Sequence, residues 1–140
     1  MKQVFDPLRK SWVRATPEEV VRQTWIQRMV EELHYPKELL AVEKELKALP
    51  HLEHEVSLPL RRIDLLSFMK SADGIKPLLL IECKESELTH EAMDQAISYN
   101  HYVKAPFVAI VNHSQIRFRS NGAEMSRLPS YHELIEALHG

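Results

Sequence analysis

One cysteine, Cys83, stands in 140 residues, so the chain cannot close an internal disulfide, which fits a reducing cytoplasm. Glycine is nearly as scarce, with three residues at 74, 122 and 140, so no stretch reads as a flexible linker. Long apolar runs are missing too. No window approaches the length needed to cross a bilayer, and Met1-Lys2-Gln3-Val4-Phe5-Asp6-Pro7 has no hydrophobic signal core. The expectation is a cytoplasmic chain without a membrane partner. Positive charge is not in excess either. A formal net charge of −2 argues against coating nucleic acid by charge alone, while leaving room for a basic patch beside an acidic site.

What is present is ordinary for a folded protein: 44% hydrophobic and 27% charged residues, enough for one core. The chain reads as a single domain over 1–140, with 1–15 an N-terminal arm or extension that is either packed on the domain or a short basic contact surface. Thr16-Pro17-Glu18-Glu19 starts a helix, with Thr16 as N-cap and Glu19 closing a capping box. Val21, Trp25 and Met29 continue it at helical spacing to about His34, before Tyr35-Pro36 ends it. Strands follow at 39–43, 58–68 and 77–83, with a polar connection over 47–57. Asp73-Gly74 marks a hairpin between the second and third. Thr89 caps a helix running to about Val103. Strands at 107–111 and 115–119 come next, and Ser130 with Glu133 opens a last helix to Leu138. The predicted order is helix, three strands, helix, two strands, helix, an α/β fold with a mixed central sheet flanked by helices.

Chemistry concentrates at the end of the third strand. The run Leu78-Leu79-Leu80-Ile81 leads into Glu82-Cys83-Lys84. Alternation puts Glu82 and Lys84 on one face and Cys83 on the other. On the neighbouring strand Asp64 sits between Arg61-Arg62-Ile63 and Leu65-Leu66. With the turn near Asp73, which is midway, the hairpin brings Asp64 across from Glu82. Carboxylates in apolar runs are costly unless paired or bound to something. Two hard carboxylate oxygens suit Mg²⁺ or Mn²⁺, which lower the pKa of a bound water and offset charge on a phosphate. The Cys83 carbonyl offers a further oxygen, and Lys84 can hold the attacking water or the phosphate. Gln95 and Tyr99, four apart on the next helix, share one face. Each feature alone has a plainer explanation: a solvated ion pair, a turn cap, a core tyrosine. Their combination is what points to phosphodiester hydrolysis.

The joint pattern Asp64, Glu82-Cys83-Lys84 and Gln95-x-x-x-Tyr99 resembles the nuclease core of the N-terminal domain of type I restriction enzyme R subunits. Asp6-Pro7-Leu8-Arg9-Lys10, Thr16-Pro17-Glu18-Glu19-Val20-Val21-Arg22-Gln23 and Tyr99-Asn100 look like the short stand-alone members of that family. The resemblance runs from about Phe5 to Val111. It implies a restriction-endonuclease-like PD-(D/E)xK fold and Mg²⁺-dependent DNA cleavage. It also implies metal ligation by Asp64 and Glu82, a catalytic Lys84, and roles for Gln95 and Tyr99 near the DNA. Two departures stand out. No Gly-x-x-x-x-Gly-Lys-Ser/Thr loop is present, so the chain carries no ATPase motor of its own, and a separate motor or specificity partner is left open. Many such nucleases also draw a glutamate from the first helix. Glu19 is the best match by position, with Glu31, Glu32 and Glu43 as alternatives.

Arg61 and Arg62, with Arg9, Lys10, Arg14, Arg117 and Arg119, are the candidate phosphate contacts. His51 and His54 lack the partners of a zinc site and read as solvated. Tyr131, Leu134, Ile135 and Leu138 of the last helix read as core ahead of a dimer contact. Two functional readings follow. One is an active Mg²⁺- or Mn²⁺-dependent DNA nuclease; the other is an inactive nuclease fold that binds DNA or docks on a partner protein. A homodimer is compatible with both.

Overall fold

The computed structural model describes residues 2–45, 48–52 and 62–139. Its elements run β1 (Gln3–Asp6), β2 (Ser11–Arg14), α1 (Pro17–Glu31), β3 (Leu40–Glu45), β4 (Arg62–Ser71) and β5 (Gly74–Cys83). They continue with α2 (His90–Val103), β6 (Phe107–Val111), β7 (Ile116–Ser120), β8 (Ala123–Met125) and α3 (Tyr131–His139). Strands β3 to β8 form one six-stranded sheet in sequence order, antiparallel throughout except for the parallel β5–β6 pair. That pair is where a crossover is needed, and α2 supplies it.

The expected order lacks strands at both ends. Residues 2–15, expected as an N-terminal arm packed on the domain or a short basic contact surface, form the β1–β2 hairpin, with Phe5 opposite Trp12 and Gln3 opposite Arg14. The Asp6 carboxylate holds its loop by accepting from the N–H groups of Leu8 (2.8 Å) and Arg9 (3.3 Å). At the other end Asn121 and Gly122 both take positive φ, 49° and 82°. That is the requirement of a two-residue hairpin turn, so β7 folds back into a short β8 with Ser120 opposite Ala123. The strand expected from Leu58 begins at Arg62; its first four positions, Arg61 among them, lie outside the described residues, as does His54.

Alternation along β5 divides the core. Leu79, Ile81 and Cys83 pack with Trp25, Ile26 and Met29 of α1. Leu80 packs with Tyr99 and Val103 of α2, while Met93 and Ala96 cover Val108 and Ile110 of β6. Leu78 to Ile81 are all fully buried, each such side chain contributing roughly 1.5–3 kcal/mol. Two buried aromatic side chains find partners for their polar tips: Trp25 Nε1 donates to the Asn112 carbonyl (2.7 Å) and the Tyr35 hydroxyl to that of Pro129 (2.8 Å). In α3, Leu134 is buried and Leu138 is 39% exposed, so the apolar stripe serves the core for most of its length.

Candidate functional site

The site forms where α1 meets the ends of β4 and β5. Near the hairpin tip Ser71 pairs with Gly74 and Phe68 with Pro77, but beyond a register shift Ser67 pairs with Leu79 and Leu65 with Ile81. The extra residue is Leu78. It moves the ladder by one step; continued past its last pair, Leu65–Ile81, the shifted register would set Asp64 level with Glu82. Without the shift Asp64 would stand level with Ile81, which points into the α1 core. The carboxylate Oδ2 of Asp64 accepts the backbone N–H of Cys83 at 2.8 Å, tying it to the strand that carries Glu82 and Lys84. Lys84 in turn donates its N–H to the Val111 carbonyl (2.8 Å), and its side chain is partly exposed. Glu82 is 1% exposed and Asp64 9%.

A residue not singled out from the sequence organises the charges. Arg22 of α1, 3% exposed, donates to Glu19 Oε1 (2.7 Å), Glu43 Oε1 (2.5 Å) and Asp64 Oδ1 (3.3 Å), and lies 3.9 Å from Glu18 Oε1. Four carboxylates thus surround one guanidinium. Burial opposes the charge on Arg22, but the charges of Glu19, Glu43 and Asp64 outweigh it and raise its pKa. The signal was there in the sequence: Arg22 stands three and four residues before Trp25 and Ile26, on the buried stripe of α1. Glu43 has a left-handed backbone (φ 53°), unusual in a strand for any residue but glycine, and its carboxylate reaches Arg22 of α1.

Glu19 departs from its expected structural role. Thr16 Oγ1 accepts the Glu19 N–H (3.1 Å) as a cap should, but the Glu19 carboxylate does not return to Thr16. It is held instead by Arg22, by Arg9 Nη2 (2.5 Å) and by Gln23 (3.0 Å). Arg9 also bonds the fully buried Asp6, whose carboxyl is held below its usual range because Arg9 and two loop N–H groups outweigh burial. The chain of contacts Asp6–Arg9–Glu19–Arg22 therefore fastens the β1–β2 hairpin to the site.

On α2, Tyr99 is buried among Leu66, Phe68 and Leu80, while Gln95 one turn earlier is exposed. Arg62 is exposed at the start of β4; Arg61 lies outside the described residues. Arg117 is bound to Glu124 (2.8 Å) and to the Leu88 carbonyl (3.2 Å). His51 is exposed, as expected of a solvated residue, and its Nε2 lies 3.0 Å from the Val103 carbonyl at the end of α2. Cys83 is buried, as expected of a small core side chain; burial pushes its thiol well above its usual range, and the charge of Asp64 adds to this.

Among the described residues no group of three or more His, Cys, Asp or Glu side chains is arranged to hold a metal ion. The carboxylates are gathered around Arg22 instead. Their donor chemistry nevertheless fits a hard divalent cation. The Glu18 carboxyl is pushed up by burial and then by the neighbouring Asp64 carboxylate, a like-charge crowding that one added cation would relieve.

None of the helices is long and apolar enough to cross a membrane among the described residues. No curated protein and no solved structure matches the chain. A family model described as Type I restriction enzyme R protein N terminus (HSDR_N) matches residues 17–135. That span takes in α1, the six-stranded sheet and most of α3, and the chain belongs to this family.

Proposed function

We propose that this domain hydrolyses phosphodiester bonds of DNA at a PD-(D/E)xK site, with Mg²⁺ or Mn²⁺ held by Asp64, Glu82 and the Cys83 carbonyl. The observation that carries the reading is the hydrogen bond from Cys83 N–H to Asp64, which couples the aspartate to the Glu82-Cys83-Lys84 strand end. The family name supports a nuclease-related role, and DNA as the substrate is the reading it favours.

A cation bound there would lower the pKa of a water molecule and offset charge on the scissile phosphate. The chain's own residues supply the rest. Lys84 orients the attacking water or a non-bridging phosphate oxygen. Arg22 holds Glu19, Glu43 and Asp64 in fixed positions, so that little rearrangement is needed when substrate arrives. Glu18 is the half-exposed carboxylate of α1 nearest this group, and it joins Glu19 as a candidate for the first-helix glutamate. Arg61 and Arg62 would meet the phosphate backbone, and exposed Gln95 would touch the strand from α2. Tyr99, being buried, would act by seating α2.

A second reading is favoured by one observation: Arg22 already neutralises Asp64 at 3.3 Å. On that reading the fold is catalytically silent and binds DNA or docks on a partner. The two separate in a cleavage assay on single- and double-stranded DNA with Mg²⁺ or Mn²⁺, using Asp64→Asn and Lys84→Ala. Metal-dependent cutting lost in both variants supports the nuclease. A folded protein that cuts no DNA with either metal leaves the silent module.

A further inference from the structure

The β1–β2 hairpin lies outside residues 17–135 and carries a feature that hydrolysis at Asp64 and Glu82 does not explain. Phe5 and Trp12 face each other across the hairpin, their rings 5.5 Å apart and edge-on, with 48% and 64% of their surface exposed. Two large aromatic side chains in water cost free energy unless something covers them. Gln3 and Arg14, the next cross-strand pair on the same face, are exposed as well. The hairpin is also the basic end of an acidic chain. Lys2, Arg9, Lys10 and Arg14 stand against one carboxylate, Asp6, which is fully buried. Finally, the hairpin adjoins the site. Arg9, Val13 and Arg14 line one side of a cavity of about 350 Å³ whose other side is Glu18, Arg22 and Glu43.

We infer that this hairpin is a stacking platform for an unpaired DNA strand, with bases laid on Trp12 and Phe5 and the backbone passed by Arg14 toward the acidic site. The substrate class is then a single strand, or a duplex with an unpaired end. The proposal rests on the nuclease reading for the choice of nucleic acid. Its physical basis is that aromatic faces bind base faces without regard to sequence, and only unpaired nucleotides offer those faces freely. Arginine beside the aromatic pair supplies the matching charge for phosphate. Within the hairpin no acidic side chain shares the face of Gln3, Phe5, Trp12 and Arg14, and where that face meets α1 beside Phe5, Glu31 is accompanied by Lys37.

The test is tryptophan fluorescence with a short oligothymidylate in EDTA, so that no cleavage can occur. Trp12 is the exposed reporter, and Trp25, at 1% exposure, serves as an internal check on folding. Oligothymidylate is expected to quench Trp12 and to bind more tightly than a blunt-ended duplex. Trp12→Ala should weaken binding, read by anisotropy of labelled oligothymidylate, about tenfold or more, with Trp12→Phe retaining most of it. Arg14→Gln should reduce the salt dependence of the affinity. Unchanged affinity in Trp12→Ala, or equal affinity for the blunt duplex, overturns the proposal. So does a Trp12→Ala protein that changes from dimer to monomer with DNA binding intact, which would give the aromatic pair to a second copy. Asp64→Asn should keep the quenching. Quenching without cleavage in any protein would therefore sink the nuclease reading and leave this one standing.

Discussion

Asp64 and Cys83 are joined by a 2.8 Å hydrogen bond from the Cys83 N–H to Asp64 Oδ2, while Asp64 Oδ1 meets Arg22 at 3.3 Å. The aspartate is thus fixed from two sides, by the strand that bears Glu82 and Lys84 and by the helix that bears Glu18 and Glu19. Predictions follow from that arrangement.

Asp64→Asn keeps the shape of the side chain and removes its charge. Cleavage should fall by at least about a hundredfold, and Lys84→Ala should do the same through loss of the charge held at the phosphate. Initial rates with Mg²⁺ on labelled DNA decide it. A variant that cuts within a few-fold of the parent would remove that residue from the proposed mechanism.

Arg22→Met leaves Glu19, Glu43 and Asp64 crowded with no internal cation. Removing one partner from a buried ionic group costs about 3–5 kcal/mol, and a loss of that order is expected in urea unfolding at neutral pH. Adding Mn²⁺ should restore part of it, because a divalent cation would then meet the same carboxylates. A loss below about 1 kcal/mol would mean that water screens the cluster.

The Glu18 carboxyl is raised above its ordinary value by burial and by Asp64. The folded protein therefore holds this proton more tightly than the unfolded chain. That contribution to stability is complete below the ordinary carboxylate value and is lost as pH rises through the folded-state value. Asp64→Asn should bring the Glu18 titration down, as read by carboxyl-carbon NMR. A Glu18 value that does not move would separate the two groups.

Glu133 runs the other way. Its carboxyl is lowered to about 2 by Arg127 and by the Ser130 N–H. Its contribution is present above the ordinary value and disappears as pH falls through about 2, so the first turn of α3 should fray only in strong acid. Amide chemical shifts of residues 130–133 followed against pH test this, and Glu133→Gln should abolish the transition.

Gln95 and Tyr99 share a helix face but not a fate. Gln95→Ala, at an exposed site, should change stability by no more than about 0.5 kcal/mol while weakening DNA cleavage. Tyr99→Ala should cost about 3–5 kcal/mol because its ring fills the core beside Leu66 and Leu80. Thermal unfolding and cleavage rates measured on both variants separate the two roles.

Much of this architecture was legible in advance because it rests on local rules. Thr16-Pro17 and Ser130 with Glu133 start helices through caps that need only neighbouring residues. The run 107–111 is apolar at every position, and it is a strand buried along its whole length. The alternation of β5 put Cys83 on the α1 side, away from Leu80, as period-two geometry requires. The hairpin at 2–15 and the short β8 were missed, because four-residue and three-residue strands carry too little pattern to count.

The sequence by itself determined where the helices begin and which strands are buried, since caps, turns and alternation act over a few positions. The tertiary structure decided the rest. The register of β4 against β5 was set by a one-residue shift at Leu78, between Ser67 and Phe68 on the facing strand. The partner of Glu19 was decided by competition between its own helix cap and two arginines, one in a hairpin ten residues away and one on the buried face of α1. Such outcomes depend on charges brought together from distant positions and on which of them lose their water, and no local rule contains that information.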